Sequence, residues 1–223
     1  MWSEQLSKYF RQLTVPEVPP QYEVMNPYGD PETMSIVDRF LQGYMHDDRK
    51  RVLLFGINPG RFGSGITGIS FTDPVRLQSS LGIDHDFELR PELSSAFIYE
   101  VIEAFGGPKQ FYQHFFISAV YPLGFLHEGK NINYYELKDW KEYMLEPIVN
   151  EINEHMKWPV CTDVAVCIGK GENYKFLKAL NKENGWFDRI EVLPHPRWIL
   201  QYRRKEKDVH LDAYLRLLSA LQN

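Results

Sequence analysis

An α/β fold, a three-layer α/β/α sandwich around a central four-stranded and mostly parallel sheet, is what the 223-residue sequence predicts. Three observations carry this. Strand-like runs are followed by helical stretches four times along the chain, the runs in the middle of the sequence are apolar throughout instead of alternating, and the runs open into loops marked by glycine or proline. Strands covered on both faces read as continuous apolar runs, and repeated strand–loop–helix units build parallel sheets. Such sheets take ligands outside the C-terminal ends of their strands, so the loops that follow the strands are the places to look for function.

Residues 1–50 read as a mostly helical N-terminal region with helical patches over 4–13 and 33–44. The segment between them, VPEVPPQYEVMNPYGDPE, carries five prolines and excludes one continuous helix. Residues 51–57, RVLLFGI, form the first core strand and run straight into NPGRFGSGITG. A helix over about 94–105 sets Ile98, Val101, Ile102 and Phe105 on one stripe, and Gly106, Gly107 and Pro108 stop it. The second strand is expected at 115–120, a long helix at 140–155, and the third strand at 162–168, closed by GKGENY and followed by a helix near 174–181. The fourth strand, 189–193, closes on PHPRW, and 207–221 is an amphipathic helix with Leu211, Leu215, Leu218 and Leu221 facing inward. No repeat, low-complexity tract or linker divides the chain, so one domain over 1–223 is expected.

Composition agrees. With 43 % hydrophobic and 14 % aromatic residues the chain is not disordered, and a protein of this mass exposes roughly 10,600 Å² when folded and buries about 70 % of its extended surface. A net charge of -5 argues against a histone-like coat on duplex DNA while leaving room for a local basic patch. Cys161 and Cys167 are too few for a four-cysteine zinc site or a cysteine-ligated iron-sulfur cluster, and their even spacing suits buried thiols on one strand face in a reducing compartment. No apolar leader follows Met1, and 110–127, although free of Asp, Glu, Lys and Arg, contains two histidines, Gln113 and Pro122 and reads as a strand with flanks. A cytoplasmic protein with no membrane partner is expected. The histidines form no metal signature, so neither a metal nor another cofactor is expected.

Two loops carry the candidate chemistry. The first has glycines at 56, 60, 63, 65 and 68, which let backbone approach a ligand closely, but it has neither the P-loop ending nor Rossmann spacing. Asn58 directly follows the strand. Its amide can accept from water and donate to a substrate oxygen, or it can simply cap the turn. His195, between Pro194 and Pro196, can donate to an oxygen that becomes anionic as a bond breaks, or can be a structural histidine. Beyond it, Arg197, Arg203, Arg204, Lys205 and Lys207 against Glu206 make a stretch of local charge +4, interleaved with Trp198 and Tyr202. That is a phosphate-contacting edge or a solvated helix start.

GINPGRFGSGITGISF together with HPR near the C-terminus resembles the uracil-DNA glycosylase superfamily, in particular its single-strand-selective monofunctional branch and bacterial relatives of that branch. The resemblance runs from about Arg51 to Leu221. It implies a pocket for a flipped deoxynucleotide, with Asn58 positioning the hydrolytic water and His195 stabilising charge on the departing base. It also implies Phe71 as the base-stacking aromatic, Ile57 and Gly60 where backbone approaches the base, and Arg197 on a loop that enters the DNA helix. In related enzymes an asparagine after the second strand reads the uracil edge; ISAVYPLGF places Ala119 there, leaving the reading to backbone groups, Ser118 or water, or a specificity shifted toward deaminated purines. No lysine nucleophile is matched, which implies monofunctional cleavage to an abasic site. A nucleotide or nucleoside hydrolase and a non-catalytic DNA-binding module are the alternatives.

Overall fold

The two parallel strands that are buried along their whole length form where the sequence is almost wholly apolar. The computed structural model describes residues 1–222, which run α1 (Trp2–Gln12), β1 (Tyr22–Met25), α2 (Pro31–Tyr44), β2 (Arg51–Gly56), α3 (Ser64–Thr67), α4 (Pro74–Ser79), α5 (Leu93–Ala104), α6 (Pro108–His114) and β3 (Phe115–Ala119). The chain continues through β4 (Gly124–His127), β5 (Lys130–Ile132), α7 (Trp140–His155), β6 (Val160–Ile168), α8 (Glu172–Asn184), β7 (Arg189–Leu193), α9 (Pro196–Tyr202) and α10 (Lys207–Ala220).

The main sheet has the order β3-β2-β6-β7, and every neighbouring pair is parallel. β2 and β3 are buried along their whole length, as strands covered on both faces must be, and the helices complete a three-layer α/β/α sandwich. α5 packs with α9 and α10, and α1 with α2. The strands end level: Gly56 pairs with Ala119, Phe55 with Cys167, and Ile168 with Leu193. This register delivers the loops after all four strands to one edge. The hydrophobic core draws on residues from Trp2 to Leu221, both cysteines are buried, and the accessible surface is 10722 Å².

At the opposite end of β2, Arg51 is fully buried and fully engaged. Its Nε donates to the Tyr112 carbonyl at 2.6 Å, and its two terminal nitrogens donate to the Asp47 carboxylate at 2.7 and 3.0 Å. Such a bidentate pair can keep a charge inside a protein.

A second sheet, β1-β4-β5, is antiparallel and was not expected from the sequence. β1 lies inside the five-proline segment, and 110–127 contains the end of α6, all of β3 and β4 instead of one strand with flanks. β4 and β5 join through Glu128 and Gly129, both at positive φ (49° and 69°), the pattern of a two-residue hairpin turn. Among the described residues, no helix is long and apolar enough to cross a membrane.

Candidate active site

A cleft of about 660 Å³ opens at the C-terminal edge of the main sheet. It gathers Ile57, Asn58 and Gly60 from the loop after β2, Phe71 farther along that connection, and Ser118 and Ala119 from the end of β3. His195, Arg197, Trp198 and Tyr202 close the other side. Arg203, Arg204 and Lys205 do not line it.

Asn58 is held by backbone far from its own turn. Its Oδ1 accepts from the Tyr134 amide at 3.0 Å, and its Nδ2 donates to the carbonyls of Ile132 at 3.3 Å and Pro59 at 3.4 Å. An N–H must meet the amide oxygen and carbonyls must meet the nitrogen, so these partners settle the orientation of the group. Both Nδ2 hydrogens are used, and Oδ1 keeps one lone pair for a water. The end of β5 and the residues that follow it therefore brace the amide, which goes well beyond a local turn cap.

His195 sits between β7 and α9 as the N-cap of that helix. The Arg197 backbone N–H donates to its Nδ1 at 3.2 Å, so the neutral ring carries its proton on Nε2. Burial, reinforced by the Arg197 charge, pushes the imidazole down from 6.5 to about 4. At neutral pH it is an uncharged donor, and no described residue bonds Nε2.

Phe71 adopts φ +53°, a left-handed conformation rare for an aromatic residue, and its ring centroid lies 5.8 Å from that of His195. Gly56 makes this possible, since a Cβ there would stand 2.9 Å from the Phe71 ring. Strain of this kind persists where surrounding structure imposes it and gathers at functional sites.

Ala119 brings no polar side-chain atom to the cleft. The Ser118 hydroxyl is already committed: Oγ lies 2.6 Å from His155 Nε2, and His155 Nδ1 lies 2.5 Å from the Glu151 carbonyl. A carbonyl only accepts, so Nδ1 carries the ring proton and Nε2 accepts from Ser118. Burial pushes His155 down to about 4, which keeps it neutral. Of the alternatives for reading a base edge, Ser118 therefore offers its oxygen lone pairs and not its proton, which points to His155.

The basic stretch also differs from expectation. Pro196 to Trp198 open helix α9 instead of forming a loop, because Pro at the first helical position and a capping His195 favour a helix there. Trp198 is 41 % exposed and packs edge-on against His210, with the Arg203 guanidinium 5.4 Å from its ring. Lys207 is paired with Glu100 at 2.7 Å, which removes it from the free edge.

Several lining residues escaped the sequence reading. Asn131 accepts from the Arg61 amide at 2.8 Å and donates to the Pro59 carbonyl at 3.4 Å, bracing the first loop. Asn173 is buried at the start of α8, accepting from the Tyr134 hydroxyl at 2.8 Å and donating to the Gly56 carbonyl at 3.4 Å. Lys170 is exposed at the rim, and Glu92 lies against Gly60 and Gly63. The quoted GKGENY contained the Asn173 and Lys170 signals; Glu92 carried none. Among the described residues, no group of three or more His, Cys, Asp or Glu is arranged to hold a metal ion.

Comparison with known proteins places this geometry. The family model for the uracil DNA glycosylase superfamily matches residues 43–219. A solved structure, that of wild-type Pedobacter heparinus SMUG2, is similar with a TM-score of 0.95 and 40 % sequence identity, covering 99 % of this chain and 97 % of that one. The chain belongs to the uracil DNA glycosylase superfamily and is a DNA N-glycosylase, a hydrolase of glycosyl bonds.

Proposed function

We propose that the protein is a monofunctional glycosylase that removes uracil or another deaminated base from DNA and leaves an abasic site. The observation that carries this reading is the fixed tautomer of His195. A neutral ring with its proton on Nε2, beside Phe71 and across the cleft from a braced Asn58, suits a leaving base whose oxygen gains charge as the bond to C1′ breaks. A flipped nucleotide would stack on Phe71, with Asn58 Oδ1 holding the attacking water. Ala119 at the end of β3 supports a pocket that reads the base edge through backbone or water, and so accepts deaminated purines as well as uracil.

Lys170 is the lysine that lines the cleft, and it is exposed. A nucleophilic lysine needs desolvation or a neighbouring cation, which favours direct hydrolysis by water over an amine intermediate. Exposed Trp198, Tyr202, Arg203, Arg204 and Lys205 supply stacking and charge for the DNA backbone beside the cleft.

The test is a labelled oligonucleotide panel carrying uracil, hypoxanthine or xanthine, in single strands and opposite each normal base. The expected product is an abasic site whose strand breaks only after alkali. Strand scission without alkali would overturn the monofunctional reading, and binding without product would favour a non-catalytic module.

A further inference from the structure

Asn58 cannot take a proton from the water it holds. Its amide has no basic atom, and both N–H groups already serve the Ile132 and Pro59 carbonyls. One carboxylate faces the same loop. Glu92 is the residue before α5, yet its side chain makes no capping bond to that helix. Its backbone N–H is fixed instead by the buried Asp73 carboxylate at 2.7 Å, and its own carboxylate lines the cleft. A Cβ on Gly60 would stand 2.8 Å from Oε1, and one on Gly63 would overlap Oε2, so these two glycines leave the space that Glu92 fills. No described residue donates a hydrogen bond to this carboxylate. A partnerless carboxylate beside a polyanion's binding cleft is unfavourable unless it faces positive charge or a proton it must accept.

We infer that Glu92 is a catalytic residue, the general base that takes a proton from the water held at Asn58 and whose charge faces the sugar as it becomes cationic. This rests on the glycosylase reading above. The C1′–N bond breaks with its electron pair leaving on the base, the water oxygen bonds to C1′, and one water proton passes to Glu92. The base anion takes up a proton from solvent and Glu92 returns its own to solvent, so the sum is the addition of one water across the bond.

Burial and the Asp73 carboxylate raise the pKa of Glu92, and the Arg197 guanidinium of α9 opposes them. Of the other nearby charges, Arg61 is turned to the Gly129 carbonyl and the Phe62 ring, and Arg90 is paired with Glu88.

The experiment uses the full chain and single-turnover cleavage of a deaminated-base oligonucleotide across pH about 5 to 9. Glu92→Gln should lower the rate about 10²-fold, abolish the acidic limb of the profile, and leave DNA affinity unchanged or tighter. Glu92→Ala should lose activity that added formate partly restores, a rescue that a merely structural role would not allow. A Glu92→Gln rate within about threefold of the parent, or an acidic limb that survives, overturns the proposal alone. Failure of the parent protein to release any deaminated base overturns the glycosylase reading and the proposal with it.

Discussion

Acid should loosen this protein through His155. The imidazole is fully buried and held at about 4 against an ordinary 6.5. Between those values the unfolded chain binds a proton that the folded chain refuses. The stabilising contribution is therefore whole above pH 6.5 and is lost as pH falls toward about 4. At pH 5 the gap from the unfolded value is 1.5 units, which at about 1.36 kcal/mol per unit amounts to a loss of about 2 kcal/mol. His195 titrates in the same window, so the parent protein's slope contains both groups. Substituting His155→Gln keeps an acceptor for Ser118 but removes the titration. Urea unfolding at pH 7 and pH 5, for parent and variant, isolates the effect because any packing cost of the substitution cancels in the difference. The fall in unfolding free energy on acidification should be smaller in the variant by about 2 kcal/mol. Equal falls in both proteins would refute the assignment of His155 as a buried neutral group.

Asn58→Ala should lower single-turnover cleavage about 10²-fold while leaving the thermal transition of the main fold in place, and near-parental turnover would remove Asn58 from the chemistry. Ala119→Asn adds an amide at the end of β3 and should raise the ratio of uracil to deaminated-purine cleavage; an unchanged ratio in an active variant would reject Ala119 as a specificity position. Neutralising Arg204 and Lys205, which lie in an exposed turn beyond the cleft, should flatten the dependence of log affinity on log salt by about 1.8 for duplex DNA if each contacts one phosphate. Titrations at several salt concentrations read this directly, and an unchanged slope would dismiss that edge.

The main sheet was legible because β2 and β3 are apolar on both faces: Val52 to Phe55 and Phe115 to Ile117 need no partner to be recognised as core. The level strand ends then follow from the parallel fold, which is why two loops separated by 137 positions in the sequence could be expected at one cleft. β1, β4 and β5 were hidden for the opposite reason. They are three or four residues long and exposed or half-buried over much of their length, and β1 sits among prolines, so their pairing is a tertiary fact without a local pattern. Glu92 lies in a charged stretch that reads as solvated surface, and only the approach of Gly60 and Gly63 turns it inward. Ser118 was read as available because nothing local to it indicates that a histidine from α7 would claim its proton.

The small antiparallel sheet also sets a timetable for synthesis. β1 pairs with β4, whose residues follow it by about 100 positions, and at about 5–20 residues per second the ribosome releases β4 about 5–20 s after β1. During that interval β1 is a short strand with no partner, open to pairing with another nascent chain. The prolines at 16, 19, 20 and 27 bracket it on both sides and cannot donate to a neighbouring strand. The composition that conceals this strand from a sequence reader should conceal it equally from other chains until β4 has left the ribosome and β5, arriving directly afterwards, can bring Ile132 and Tyr134 against Asn58.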